Sequence, residues 1–183
     1  LFKIGAVMPL HICFIHGKES GPWGNKGQLF SRIANERGHE FSALNYLSAD
    51  DPDDPESRVK MLNAYLAETK VPAKELVLVG SSMGGYVAAR ASQSYRAAGM
   101  FLMAPALGLE NYPVQWPEIK ADSVYLVHGL FDRIIPWVNS NDLSQKLDCK
   151  IHLVADDHRL GDSMNFIEED FLLFLEPLEK ACP

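Results

Sequence analysis

The run Leu76-Val77-Leu78-Val79-Gly80-Ser81-Ser82-Met83-Gly84-Gly85 passes without a spacer from four consecutive apolar residues into a small-residue helix start. Apolar residues that do not alternate with polar ones belong to a strand covered on both faces, the mark of a parallel sheet held between helices. A strand that turns directly into a helix strains the residue at the bend and crowds the side chains two positions to either side, which Gly80 and Gly84 relieve. A bare G-x-S-x-G also occurs in ordinary Gly/Ser turns. Here the strand before it and the helix after it predict a nucleophile elbow, with the Ser82 hydroxyl presented at the edge of a sheet.

The same grammar runs through the chain. Apolar runs at Leu10–Ile15, Glu40–Asn45, Leu76–Val79, Gly99–Met103, Val124–Val127 and Ile151–Val154 predict six strands. Between them, Leu29, Phe30 and Ile33 share one helical face that ends at Gly38, where a left-handed residue is wanted. Asp54-Pro55 reads as N-cap and first-turn proline of a second helix, carrying Val59, Leu62 and Leu66 and stopped by Pro72. A third helix is predicted directly after Ser82, a fourth near Pro136 with Val138, Leu143 and Leu147, and a fifth around Ser163 with Ile167, Phe171, Phe174 and Leu178. Right-handed crossovers wind such units into a three-layer α/β/α sandwich around a mostly parallel six-stranded sheet, with the ligand crevice at the carboxyl ends of the strands. From Pro105 to Ala121 no period is sustained, and the segment reads as an ordered loop.

Composition narrows the partners. A length of 183 residues with 47% hydrophobic and 22% charged suits one globular domain, 1–183, and neither a disordered tail nor a fibrous repeat. Lys+Arg 17 against Asp+Glu 24 leaves a net charge of −7, the wrong sign for a nucleic-acid groove or an anionic membrane surface, so small molecules are the expected partners. No stretch approaches the roughly 20 apolar residues of a membrane span. Cys13, Cys149 and Cys182 cannot all pair within the chain and lack zinc-clip spacing, which predicts a reducing, cytoplasmic setting in which Cys13 is packing and Cys182 a free thiol. The apolar opening is read as leading into a strand, because removing it as a signal peptide would take that strand away. Met8-Pro9-Leu10 would make a natural start, so residues 1–7 are expected to be an addition ahead of it. Neither His-x-x-x-His nor Gly-x-x-x-x-Gly-Lys occurs, and no metal or cofactor is expected.

A serine hydroxyl is a poor nucleophile until a base takes its proton, and the elbow implies a downstream acid followed by a histidine. Val124 to Asp132 reads as a strand and short turn that carries a carboxylate just past the strand end, making Asp132 the expected orienting acid. Ile151 to His158 is the last strand and a short loop, making His158 the expected general base. Asp156 and Asp157 are second choices for the acid, since a neighbour in a tight loop seldom aims its carboxylate at the inner ring nitrogen. His11, His39 and His152 read as structural or exposed. The turn His16-Gly17-Lys18 after the first strand is expected to supply one backbone donor of an oxyanion hole, from Lys18, with the other from the N–H of Met83. Trp23, Tyr112, Trp116 and Trp137 stand in loops or at element starts on the crevice side and are candidates for a shallow aromatic wall that receives substrate.

Taken together, Phe14-Ile15-His16-Gly17, Gly80-Ser81-Ser82-Met83-Gly84-Gly85, Val127-His128-Gly129-Leu130-Phe131-Asp132 with Pro136, and Asp156-Asp157-His158-Arg159-Leu160 resemble the α/β-hydrolase superfamily, in particular its compact, lidless serine hydrolases. The likeness spans nearly the whole chain. It implies a reduced form of that fold, with Ser82 as nucleophile, Asp132 as acid and His158 as base. Larger members carry two further strands at the front and often a helical lid after the strand that ends here at Met103, where this chain offers only the Pro105–Ala121 loop. The expected activity is hydrolysis of small carboxylic esters through an acyl-enzyme. A thioesterase or small-peptide hydrolase, or a non-catalytic binding module on the same fold, are the alternatives.

Overall fold

In the computed structural model residues 9–180 are described; residues 1–7, expected to be an addition, and Cys182 lie outside them. Six strands, β1 (His11–Ile15), β2 (Glu40–Ala43), β3 (Leu76–Ser81), β4 (Ala97–Met103), β5 (Ala121–Gly129) and β6 (Lys150–Val154), pair in the order β2-β1-β3-β4-β5-β6. Every pairing is parallel, so the sheet expected to be mostly parallel is wholly so. The reason is the connections: parallel neighbours need long crossovers, and no two consecutive strands here are joined by a hairpin turn.

Five helices cover the sheet: α1 (Asn25–Arg37), α2 (Pro55–Thr69), α3 (Met83–Ser92), α4 (Trp137–Leu147) and α5 (Met164–Lys180). Strand residues alternate between two cores. Cys13, Ile15, Leu76, Leu78, Met100 and Leu102 face α2, α3 and α4 through Leu62, Leu66, Val87 and Leu143. Ile12, Phe14, Val77, Val79, Phe101 and Met103 face α1 and α5 through Phe30, Ile33, Phe171 and Phe174. On the second face Phe101 is ringed by Phe30, Tyr125, Phe171 and Phe174, with centroids 5.1–6.2 Å away. Truncating so enclosed an aromatic to alanine costs about 3–5 kcal/mol.

The helix ends follow local chemistry. Gly38 closes α1 in the left-handed region at φ 75°. The Asp54 side chain accepts from the Glu56 and Ser57 N–H groups and caps α2 ahead of Pro55. That helix ends at Thr69, before Pro72, because Lys70 itself turns left-handed at φ 53°. β2 stops two residues earlier than its apolar run suggests, since Asn45 caps a single 3₁₀ turn over Tyr46–Ser48. β4 and β5 are longer than their apolar cores, and α5 continues through Pro177. Residues 104–120 form neither helix nor strand. No helix among the described residues is long and apolar enough to cross a membrane.

Candidate active site

The elbow is pinned from several sides. Ser82 sits at φ 54° and ψ −121°, a region that a residue with a side chain occupies only when its surroundings force it there. Its N–H donates to Met103 O of β4 at 2.9 Å, and its carbonyl accepts from Gly85 N–H and Ala106 N–H, both at 2.9 Å. The flanking glycines are required by contact: a Cβ on Gly84 would fall 2.0 Å from Ile15 O, and one on Gly80 would fall 2.6 Å from Gly84 O. Ser81 remains in β3, in register with Met103.

His158 reaches this serine from the loop after β6. Its Nε2 lies 2.9 Å from Ser82 Oγ and its Nδ1 2.7 Å from Asp132 Oδ2, so the ring that donates from Nδ1 to the carboxylate is left with an Nε2 lone pair for the serine proton. The seam between the two loops explains the alignment. Leu130 N–H donates to Val154 O at 2.8 Å and Phe131 N–H to Asp156 O at 3.0 Å. A side chain at Gly129 would meet Asp156 O at 2.4 Å, so only a glycine lets the His158 loop cross there.

Asp132 is fully committed. Oδ1 accepts from the Ile134 and Ile135 N–H groups, each at 2.8 Å, while Oδ2 accepts from His158 and, at 3.0 Å, from His128 Nε2. Burial pushes this carboxyl up, but the Ile135 N–H, His158 and the Ile134 N–H outweigh it and hold it below the ordinary carboxylate range. Burial likewise pushes the His128 imidazole below its ordinary value, against the pull of Asp132. Neutral His128 then donates from Nε2 and accepts the Ser140 hydroxyl on Nδ1 at 2.7 Å. Asp156 and Asp157 spend their carboxylates on their own loop, accepting from the Asp157, Asp162 and Arg159 N–H groups.

Two stretches of backbone border the elbow. Met83 is the first residue of α3, where helix N–H groups have no intrahelical partner. Gly17 abuts the serine, with the position of a Cβ on it 3.3 Å from Ser82 Cβ, and Lys18 follows it in the chain. The four aromatic candidates are not gathered into one wall. Trp23 packs on Phe41 at the outer strand β2, with centroids 6.0 Å apart, and Tyr112 packs edge-on against Tyr86, 4.8 Å away. Trp116 lies against Gly108, which the Asn139 side chain also approaches, and half-buried Trp137 opens α4. Leu130, Phe131, Ile134 and Val138 are instead the large apolar side chains exposed around Asp132.

Two polar residues near the site escape a reading by motif. His128 looks like a strand residue with a glycine after it, yet a histidine in a run buried on both faces must find partners, and that is its signal. Arg58 falls on the stripe of α2 that carries Leu62 and Leu66, a cation at an apolar position. It is fully buried and donates to the carbonyls of His16 and Gly17. The remaining histidines bind within the scaffold: His11 to Glu40 and Ser42, His16 to Gly17 O and Tyr46 N–H, His39 to Glu179, His152 to Asp170. No group of three or more His, Cys, Asp or Glu among the described residues is placed to hold a metal ion.

Comparison with known proteins agrees with this architecture. The model of the family described as Uncharacterised protein family (UPF0227) matches residues 11–113, more than half of the chain. The chain belongs to that family. The matched span of this UPF0227 member includes Ser82 and ends before Asp132 and His158. Among solved structures, a protein of Xanthomonas campestris assigned to the α/β superfamily of hydrolases superposes with a TM-score of 0.82 at 26% identity, over 93% of this chain and 99% of that one. A lidless α/β serine hydrolase, also from Xanthomonas campestris, has a TM-score of 0.72 at 19% identity, over 100% of this chain and 88% of that one. Esterase PE8 has a TM-score of 0.62 at 18% identity, covering 92% and 94%. No curated protein matches the sequence. The fold is that of the α/β-hydrolase superfamily, and the neighbours are hydrolases and esterases.

Proposed function

We propose that this UPF0227 chain is a serine hydrolase that cleaves small carboxylic esters through an acyl-enzyme. The observation that carries the reading is the unbroken hydrogen-bonded chain from Ser82 Oγ through His158 to Asp132, standing on a strained elbow. The Ser82 proton passes to His158 Nε2 as Oγ bonds to the acyl carbon, and the Met83 and Lys18 N–H groups hold the resulting oxyanion. Collapse breaks the ester C–O bond, and the leaving alkoxide takes the proton from His158. Water then gives a proton to the same nitrogen, attacks the acyl carbon and frees the acid, and the proton returns to Ser82. The Asp132 carboxylate keeps the ring in the required tautomer and offsets the charge of the imidazolium.

A fluorophosphonate probe tests it. Peptide mapping is expected to find the adduct on Ser82 alone, with none after Ser82→Ala. An adduct on Ser81, or labelling that survives the substitution, overturns the assignment. Folded protein that takes no label favours a binding module on the same fold. A panel of acyl esters and thioesters given to labelled-competent protein then ranks the leaving groups.

A further inference from the structure

Arg58 heads the fully buried side chains of the fold by size. Among the described residues it forms no ion pair, and its hydrogen-bond acceptors are main-chain carbonyls. Nε donates to Pro52 O at 2.7 Å, Nη1 to His16 O and Gly17 O at 3.3 and 3.2 Å, and Nη2 reaches Lys18 O at 3.5 Å. The Tyr46 ring lies 5.9 Å from its Cζ, and Tyr46 N–H donates to His16 Nε2 at 3.1 Å, so the cation is walled in beneath the turn after β1. A stability role at this place on α2 would be served at lower cost by an apolar side chain, because a buried guanidinium loses its hydration and here gains no carboxylate in hydrogen-bond contact, Asp53 acting on it only through space. Nε anchors the group to Pro52 O, and both Nη groups are turned on one object, the turn His16-Gly17-Lys18.

Peptide geometry converts that grip into an orientation. No peptide bond among the described residues is cis, and in a trans peptide the C=O and the N–H point opposite ways. A Gly17 carbonyl turned toward Arg58 therefore turns the Lys18 N–H away from it. The same carbonyl also accepts from His16 Nδ1 at 2.8 Å, and two donors on one oxygen fix the plane of the Gly17–Lys18 peptide. Gly17 itself presses against Ser82. Donation to a carbonyl from a charged group also polarises the peptide and strengthens its N–H as a donor.

We propose that Arg58 is a positioning residue for the oxyanion hole, holding and polarising the Gly17–Lys18 peptide so that the Lys18 N–H meets the negative oxygen at Ser82. The proposal rests on the hydrolase reading above. It is tested in the full chain with Arg58→Met, Arg58→Lys, Lys18→Pro and the double variant Arg58→Met/Lys18→Pro, each checked for folding by thermal unfolding. For p-nitrophenyl acetate, Arg58→Met is expected to lower kcat by about 10²–10³-fold, the size of a lost oxyanion donor, and to leave KM within about threefold. The Ki of phenylboronic acid, which forms a tetrahedral adduct on the serine, should rise with the loss of kcat, and Arg58→Lys should recover about tenfold. Lys18→Pro deletes the N–H itself, so adding Arg58→Met to it should cost less than about threefold more. A folded Arg58→Met with kcat near wild type, a change confined to KM, or a full additional loss on top of Lys18→Pro overturns the proposal. Where Arg58→Met does not fold, Arg58→Lys decides: unchanged kcat overturns it and a kcat-specific loss supports it. Wild-type protein inert to both the ester and the fluorophosphonate overturns the hydrolase reading and this inference with it, whereas an active wild type with active Arg58 variants overturns this inference alone.

Discussion

His128 and His158 meet on a single oxygen: Oδ2 of Asp132 lies 3.0 Å from His128 Nε2 and 2.7 Å from His158 Nδ1. The first histidine is fully buried on β5, and the second arrives from the loop after β6. With Oδ1 occupied by two backbone N–H groups, the carboxylate has no freedom to rotate, and its charge is directed toward the ring that faces Ser82.

Replacing Asp132 with asparagine should be far more damaging than the same change at its rivals. An amide that keeps its Oδ1 contacts turns its NH₂ toward both histidine donors, which favours the wrong tautomer of His158. The expected loss in kcat is on the order of 10⁴, as for the serine-protease triad. Asp156→Asn and Asp157→Asn, which disturb the hydrogen bonds of their own loop and the charge facing Lys26, should keep kcat within about tenfold. Steady-state rates on a soluble ester decide, and the opposite ranking would assign the acid elsewhere.

Stability should fall in acid in two stages. Burial lowers the His16 and His128 imidazoles from the ordinary value of 6.5, so below that pH the unfolded chain takes up protons that the native chain refuses. Their contribution is complete above about pH 6.5 and is lost as the pH drops, at no more than about 1.4 kcal/mol per pH unit for each histidine. Asp132, lowered from 3.8, stabilises above that value and loses its share as the pH falls through its native pKa. Urea unfolding from pH 8 to about 5 should show the first stage, with a shallower slope in His128→Gln. An identical slope in that variant would remove His128 from the account.

Strain at the elbow should be measurable without any substrate. Both Ser82→Gly and Ser82→Ala delete the hydroxyl, but only glycine is at ease at φ 54°. The glycine variant should be more stable than the alanine one by about 1 kcal/mol. Gly84→Ala forces a methyl onto the Ile15 carbonyl and should cost about 3 kcal/mol, or a fall of roughly 6–12 °C in Tm for a chain of this size. Thermal scans and denaturant midpoints read both, and equal stabilities of the two Ser82 variants would mean that the bend carries no strain.

Acyl-chain preference should follow the open loop. Residues 104–120 hold no helix to cover a long chain, and Leu130, Phe131, Ile134 and Val138, close to Asp132 in sequence, are exposed. Each methylene contributes only about 0.8 kcal/mol, and only while it finds surface to bury against. kcat/KM for p-nitrophenyl esters should peak at roughly two to six acyl carbons and decline beyond. A steady rise to palmitate, or activation at a lipid interface, would reveal a cover or tunnel.

What could be read from the sequence and what could not divides along physical lines. Six strands, five helices, the Asp54 cap and the left-handed Gly38 follow from local patterning, and the structure has them. The convergence of Ser82, Asp132 and His158 was foreseeable because each directly follows a strand of one parallel sheet, and all such residues share an edge. Strand ends were less legible, since β5 begins at Ala121 on ladder hydrogen bonds to β4 while its apolar core begins only at Val124. The dispersal of Trp23, Tyr112, Trp116 and Trp137 was not legible at all. Loop side chains settle on whichever surface the tertiary fold presents, Phe41 for one and Tyr86 for another. His128 and Arg58 left only a weak trace, a polar residue at an apolar position: the partners of His128, Asp132 and Ser140, meet it only once the turn after β5 and α4 are folded, and those of Arg58 are main-chain carbonyls.

The order of the strands carries a consequence for the newly made protein. Ser82 lies on β3, in the middle of the sheet, whereas His158 follows β6, an outer strand paired only with β5, and the two are 76 positions apart. Contacts between such distant segments form late, after loop closure has been offset by the packing of nearer elements. A chain emerging from synthesis can thus assemble β1 to β4 with the elbow already bent while its base is still unplaced. On the proposed hydrolase reading, the Ser82 hydroxyl stays an ordinary alcohol until β6 docks, and an incomplete fold is spared a reactive centre.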